Sequence, residues 1–112
     1  MRLTEDQVQQ FKSEGFTLAP GFFSEIEVAA MCRQVEQWQA AGLLRNVATA
    51  GDGATHTDDV ANLQLVPLLP HGELFQALPF QPKVIAAVTD LIGSPACRIL
   101  DQLFYKPPRI GG

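Results

Sequence analysis

Three residues near the middle of the chain, His56, Asp58 and His71, have the side-chain types that can hold iron for oxygen chemistry. His56, Thr57 and Asp58 form a His-x-Asp triplet, and His71 follows a short distance later. Two histidines and one carboxylate bind Fe(II) through one face and leave other positions open for O₂. The triplet, however, lies in the Gly-, Asp- and Thr-rich segment 51–59, which predicts a loop, and metal ligands require rigid elements. We therefore interpret the triplet as part of a solvated loop.

A second candidate lies near the end of the sequence, where residues 97–106 alternate as in a β-strand. One predicted face carries Leu100, Gln102, Phe104 and Lys106. A mixed polar and apolar face of this kind suits a cavity that binds a small polar molecule. The Gln102 amide would donate a hydrogen bond to a carboxylate there, or it would bond only to other protein groups. Lys106 would attract an anion, or it would extend along the loop edge with its charge in solvent.

Two helices with well-defined starts precede these candidates. Thr4–Gln7 matches a capping box and predicts a short helix that ends at Gly15. Ser24–Glu27 matches a second capping box and predicts a longer helix that runs to about Gly42. We expect Trp38 to lie in the core rather than to stack on a ligand. It belongs to an apolar face with helical spacing, made of Val28, Met31, Val35 and Trp38.

The rest of the chain is predicted as short elements and one further helix. Pro82 begins an amphipathic helix that ends at Gly93. A helical turn is expected at 73–78, and short strands are expected at 16–18, within 43–50 and at 62–66. Together the elements predict one α+β domain over 1–112. Its region up to about residue 95 is mainly helical, and its final strand covers about 97–106.

The composition argues against several classes of protein. A length of 112 residues suits one domain, and 46% hydrophobic with 18% charged residues is typical of a globular chain. A net charge of −4 argues against nucleic-acid binding, and no apolar run is long enough to cross a bilayer. The N-terminus lacks the apolar core of a secretory signal, so we expect a cytoplasmic location. Cys32 and Cys97 are expected to be reduced, partly buried thiols.

Several segments, in their order along the chain, resemble the phytanoyl-CoA dioxygenase-like family. The family's opening, with a capped helix, a Gly-Phe strand, a Pro-Gly-Phe turn and a second capped helix, is similar to LTEDQVQQFKSEGFTLAPGFFSEIEVAAM. The helix before the first main barrel strand is similar to QPKVIAAVTDLIG. That strand and the Lys-Pro-Pro loop after it are similar to DQLFYKPPRIGG. The resemblance covers nearly the whole chain and is weakest between residues 43 and 80.

This resemblance implies a double-stranded β-helix, or jelly roll, with N-terminal helices packed outside it, of which this chain holds the first part. It implies Fe(II) and 2-oxoglutarate as cofactors of the complete enzyme, neither of which should bind tightly to this chain alone. In the family the His-x-Asp pair follows the Lys-Pro-Pro loop, whereas His56 and Asp58 precede it. We therefore expect no catalytic or metal-binding residue within the 112 residues. Gln102 and Lys106 are the two expected cofactor-binding residues.

The expected function is that of the N-terminal part of an Fe(II)/2-oxoglutarate-dependent dioxygenase. The complete enzyme would hydroxylate a small organic substrate with O₂ and release succinate and CO₂, and the chain alone would be inactive. The main alternative is a non-catalytic binding or interaction module, or a degenerate remnant of the family. A subunit completed by another chain is a third. The expected partner is a small-molecule substrate rather than nucleic acid or a membrane, and an exposed strand edge would favour self-association.

Overall fold

The computed structural model of the protein describes residues 2–55 and 62–106. Within these ranges the chain forms four α-helices and a three-stranded antiparallel sheet, which confirms the predicted α+β class. None of the helices in these ranges is both long enough and apolar enough to cross a membrane. In chain order the elements are α1 (Glu5–Glu14), α2 (Glu25–Ala40), β1 (Arg45–Asn46), β2 (Leu63–Leu65), α3 (Glu73–Ala77), α4 (Pro82–Ile92) and β3 (Leu103–Tyr105).

The predicted helix starts are confirmed by their capping hydrogen bonds. The Gln7 N–H donates to Thr4 Oγ1 at 3.2 Å, and the Thr4 N–H donates to Gln7 Oε1 at 2.8 Å. Ser24 and Glu27 form the same reciprocal pair at the start of α2. Gly15 ends α1 in the left-handed conformation with φ 82°. These caps pair backbone groups that a helix end would otherwise leave without partners, and they involve only neighbouring residues.

The core lies where the second half of α2 meets the sheet and the chain around α3. Trp38 is 3% exposed and packs against Leu65 and Leu68, so its predicted place in the core is confirmed. The Trp38 indole N–H donates to the His71 carbonyl at 3.0 Å, which satisfies the only polar atom of the ring. Four half-buried side chains complete this cluster: Val35, Leu44, Phe75 and Leu103. At the start of α2, Val28 is exposed, so the apolar face is buried only toward its C-terminal end.

Lys83 of α4 contacts both the turn before α2 and the first turn of α2. The Lys83 ammonium donates to the Phe22 carbonyl at 3.0 Å and to both Glu27 carboxylate oxygens, at 2.8 and 2.6 Å. It also lies 4.8 Å from the centre of the Phe23 ring, within the range of a cation–π contact. The pKa of the Glu27 carboxyl is lowered, chiefly by the hydrogen bond from Lys83.

The sheet has the order β1-β2-β3, with β2 in the centre. Arg45 lies opposite Gln64 across β1 and β2, and Gln64 lies opposite Phe104 across β2 and β3. Leu65 lies opposite Leu103. This register decides which side chains share a face, because directly opposed residues in an antiparallel pair point to the same side.

The predicted strand at 16–18 is wrong. Phe16 and Leu18 are exposed, and no β-ladder includes residues 16–18. Side chains of α1 supply hydrogen-bond partners instead, since Gln7 Nε2 donates to the Leu18 carbonyl at 2.8 Å and Thr17 Oγ1 donates to Gln10 Oε1 at 3.1 Å. The segment thus returns along α1 without pairing with another strand.

The predicted final strand is too long, because β3 contains only Leu103–Tyr105. Its partner β2 is followed by Pro67, which would lie opposite Asp101 if the ladder continued. Proline has no N–H to donate, so it cannot extend the pairing at that point. Within the described residues, the face of β3 that carries Phe104 is open, since this side chain is 57% exposed.

Both cysteines were expected to be partly buried, and this is wrong. Cys32 and Cys97 are free thiols with exposed side chains. Cys32 lies on α2 beside the apolar face rather than on it, and Cys97 lies in the segment before β3, outside any ladder. A position next to an apolar stripe therefore does not ensure burial when only one end of that stripe is covered.

Candidate functional site

The two faces of the sheet carry different side chains. Leu65 and Leu103 face the Trp38 cluster, and we call this the core face. Because side chains alternate along a strand, Gln64 and Phe104 lie on the opposite side. We call this side the open face, and define it by Arg45, Gln64, Gln102 and Phe104. It combines two amides, a cation and an aromatic ring.

The amides of Gln102 and Gln64 meet on the open face. Gln102 Nε2 donates to Gln64 Oε1 at 3.2 Å, and both side chains are half-buried. Gln102 therefore makes the internal hydrogen bond that the sequence allowed as one alternative. This bond uses one N–H of Gln102 and leaves the Gln64 amide with both of its own N–H donors. Such donors are the groups that a bound carboxylate accepts from.

Two cations flank these amides. Arg45 is opposite Gln64 on β1 and is exposed, and Lys106 follows β3 directly and is exposed. Neither makes an ion pair with another residue in the described part of the chain. A positive side chain without a carboxylate partner retains its attraction for a dissolved anion. The open face thus offers positive charges and amide N–H donors, and both of these attract an anion.

The acidic residue next to Gln102 has a partner of its own. Asp101 Oδ2 lies 3.6 Å from a guanidinium nitrogen of Arg98, and the Asp101 side chain is mostly buried. The Arg98 guanidinium also lies 5.8 Å from the centre of the Phe80 ring. This ion pair offsets the negative charge nearest to Gln102, so it weakens the repulsion that an anion would meet there.

Sequence reasoning identified Gln102 and Lys106 but missed Arg45 and Gln64. Gln64 had a signal in the sequence, since it is the polar residue between two leucines in Leu63–Leu65. In an alternating strand, that pattern places it on the side away from the core. Arg45 had no such signal, because only the register between β1 and β2 brings it opposite Gln64.

The described residues offer no site for iron. Within residues 2–55 and 62–106, no three His, Cys, Asp or Glu side chains lie close enough together to hold a metal ion. His71 packs edge-on against Trp38, with the ring centres 6.5 Å apart, on the core side of the fold. His56, Thr57 and Asp58 lie outside the described residues.

The loop before these residues is closed by one aspartate. The N–H groups of Ala54 and Thr55 donate to Asp52 Oδ1 at 2.9 and 2.8 Å, and the Thr55 hydroxyl donates to Asp52 Oδ2. These bonds lower the pKa of Asp52 to about 2, and the bond from the Thr55 hydroxyl makes the largest contribution. Both oxygens of the Asp52 carboxylate therefore accept hydrogen bonds from residues of the same loop.

A concave surface, called the groove below, lies along α4. It has a volume of about 480 Å³ and lies between α4 and residues 94–98. Its lining is mostly apolar and includes Phe80, Ile85 and Val88, and Arg98 also lines it. Phe80 and Ile85 are exposed there. This groove, like the open face, combines apolar side chains with a few polar groups, as a binding site does.

No protein-family model, no curated protein and no solved structure matches the chain. The family resemblance therefore rests on the sequence segments alone.

Proposed function

We propose that this chain is the N-terminal part of an Fe(II)/2-oxoglutarate-dependent dioxygenase of the phytanoyl-CoA dioxygenase-like kind. The three-stranded sheet would be the first part of its double-stranded β-helix, and the open face would line the cavity for 2-oxoglutarate. The observation that carries the proposal is the hydrogen-bonded Gln64–Gln102 pair, which lies on the face of the sheet opposite the helices.

The chemistry of the open face suits a dicarboxylate. Each carboxylate of 2-oxoglutarate accepts hydrogen bonds and carries a negative charge, so it needs donors and cations. The Gln64 amide supplies two N–H donors, Gln102 keeps one, and Arg45 and Lys106 supply positive charge at the edges. The exposed ring of Phe104 lies opposite Gln64 and supplies apolar contact for the carbon chain between the two carboxylates.

In this proposal each residue has a defined role. Gln102 and Gln64 bind and orient a carboxylate through their N–H groups, and their mutual hydrogen bond fixes the two amides relative to each other. Phe104 excludes water from one side of the ligand. Arg45 and Lys106 raise the local concentration of the anion, an effect that added salt should reduce. When bound, the iron and 2-oxoglutarate would supply the oxidising power for hydroxylating a C–H bond. In the described ranges no residues fit the metal, so we assign no step of the chemistry to this chain.

The first experiment reads the coding DNA past Gly112. A His-x-Asp triplet soon after the Lys-Pro-Pro loop, followed by a distant histidine and arginine, is the expected result. A stop codon directly after Gly112 would remove the iron chemistry from the proposal. For the 112-residue chain alone we expect no succinate from 2-oxoglutarate and Fe(II). Succinate that disappears on His56→Ala would instead place the iron site in this chain and overturn the interpretation of the triplet as a solvated loop.

The second experiment tests the open face in the longer protein. Gln102→Ala should raise the KM for 2-oxoglutarate by about tenfold, as expected when one bond between an amide and a carboxylate is lost. Gln39→Ala, an exposed glutamine at the end of α2, is the matched control and should leave KM unchanged. Equal KM values for the two variants would show that Gln102 and the open face do not bind 2-oxoglutarate.

A non-catalytic binding module is the second candidate, and the apolar groove beside α4 is the observation that favours it. Such a module must fold by itself, whereas a part of a larger barrel need not. Urea unfolding of the 112-residue chain and of the longer protein separates them: equal free energies of unfolding favour the module, and a lower value for the 112-residue chain alone favours the fragment.

A further inference from the structure

The outer edge of β3 has backbone groups that point away from the sheet. On the β1 side of β2, the Val47 N–H donates to the Asn62 carbonyl at 2.8 Å. In an antiparallel strand the N–H and C=O of one residue point the same way, and successive residues alternate. Leu63 and Leu65 therefore direct their backbone groups toward β3. Tyr105 and Leu103 of β3 lie opposite Leu63 and Leu65. Because Phe104 lies between Leu103 and Tyr105, its N–H and C=O point away from β2.

No described strand pairs with this outer edge. The sheet ends at β3, and Phe104 has no backbone hydrogen bond to another described residue outside the β2 ladder. Its side chain is also 57% exposed. An edge with outward donors and acceptors and an exposed aromatic side chain favours the addition of another strand.

From these observations we propose that the 112-residue chain forms a two-fold dimer by antiparallel pairing of β3 with β3 of a second copy. The axis passes through Phe104, so that Phe104 of each copy donates to and accepts from the other. Gln102 then lies opposite Lys106 of the second copy. A second copy fits this edge because the pairing is self-complementary, and because this register places no like charges opposite each other.

The same features limit the strength of the dimer. Lys106 is followed in sequence by two prolines, which have no N–H, so the pairing cannot extend past it. Such a short contact buries far less than the roughly 1,200–2,000 Å² of a stable interface. We therefore expect a dissociation constant on the order of 100 µM. If the chain is joined to further strands of a barrel, one of those strands would take this edge instead.

Sedimentation velocity of the 112-residue chain tests the dimer, over concentrations from about 10 µM to about 1 mM. Phe104→Lys places two positive charges opposite each other on the axis and should raise the dissociation constant at least about tenfold. Ile99→Lys is the matched control, since Ile99 is 96% exposed and lies outside β3. It should leave the constant unchanged.

A backbone variant separates the edge from the side chain. The segment from Cys97 onward can be synthesised with an N-methyl group on Phe104 and joined to the rest of the chain at Cys97. This removes the outward N–H but keeps the side chain and the bonds to β2, so it should abolish the dimer while the circular dichroism stays unchanged. A chain that is monomeric at the highest concentration, or a dimer that neither Phe104 change weakens, would overturn the inference. Neither result would bear on binding of 2-oxoglutarate to the open face, which is measured separately.

Discussion

The core face and the open face of the sheet come from the same short strands and differ in what covers them. On the core face, Leu65 and Leu103 pack against Trp38, which is 3% exposed. On the open face, Phe104 remains 57% exposed beside a pair of hydrogen-bonded amides. One face thus removes apolar surface from water and stabilises the fold. The other keeps donors and charges accessible, and these are the groups through which we propose that a dicarboxylate binds.

The largest expected effect comes from deleting the centre of the core face. Trp38→Ala should lower the free energy of unfolding by about 3–5 kcal/mol, because it leaves a cavity and removes the bond to the His71 carbonyl. Phe104→Ala on the open face is the matched comparison and should cost less than about 1 kcal/mol. Urea unfolding of both variants at low protein concentration measures the difference. Equal losses would mean that the two faces do not differ as described.

A smaller effect should follow from filling the space beside Trp38. A methyl group at Gly72 would lie 2.9 Å from Gln34 Oε1 and 3.3 Å from Trp38 Cζ2. We expect Gly72→Ala to cost about 1–2 kcal/mol, because the ring is held by the core and cannot move freely. Adding Gln34→Ala should recover only part of this loss, as measured by urea unfolding. Full recovery would show that the flexible glutamine, and not the packing of Trp38, sets the cost.

The Lys83 contact should contribute less, and its contribution should depend on pH. The folded pKa of Glu27 is lowered, so this pair stabilises the fold above the ordinary carboxyl pKa near 4.5 and loses its effect as the pH falls through the folded value. Lys83→Met should therefore lower Tm at pH 7, and the difference from the unmodified chain should shrink as the pH is lowered below 4.5. A difference that does not shrink would assign the effect to the contacts of Lys83 with the Phe22 carbonyl and the Phe23 ring rather than to Glu27.

The smallest expected effect is confined to the loop at 50–55. The pKa of Asp52 is lowered to about 2, so its bonds to Ala54 and Thr55 persist above the ordinary carboxyl pKa and are lost only as the pH falls through about 2. The amide resonances of Ala54 and Thr55 should titrate near that pH and not near 4. In Asp52→Asn this titration should be absent, while Trp38 resonances stay unchanged. Titration near 4 would mean that the loop is open in solution.

Sequence predicts the local parts of this fold well. The capping boxes at Thr4 and Ser24 and the proline at position 82 fix the starts of three helices, because each involves residues within one turn. The strands are less predictable, since each depends on a partner that is distant in the chain. Residues 16–18 have a strand-like pattern but bond to side chains of α1. β3 begins at Leu103 because Pro67, far away in sequence, ends its partner's ladder.

The same division holds for the candidate site. Gln102 was predicted from the alternation of its segment together with the family resemblance, whereas its hydrogen bond to Gln64 spans 38 positions along the chain. Arg45 joins the open face only through the β1–β2 register. A site built across strands can therefore be predicted residue by residue, but its full membership depends on the pairing of the strands.

The most direct test of the open face is a titration of the ¹⁵N-labelled 112-residue chain with 2-oxoglutarate at constant ionic strength, followed by NMR. We predict weak binding, with a dissociation constant on the order of millimolar. The side-chain amide resonances of Gln64 and Gln102 should move together, and Gln102→Ala should abolish the shift of Gln64, whereas Gln39→Ala should not. Unchanged Gln64 and Gln102 amides, with or without shifts elsewhere, would contradict the assignment of the open face as a dicarboxylate site.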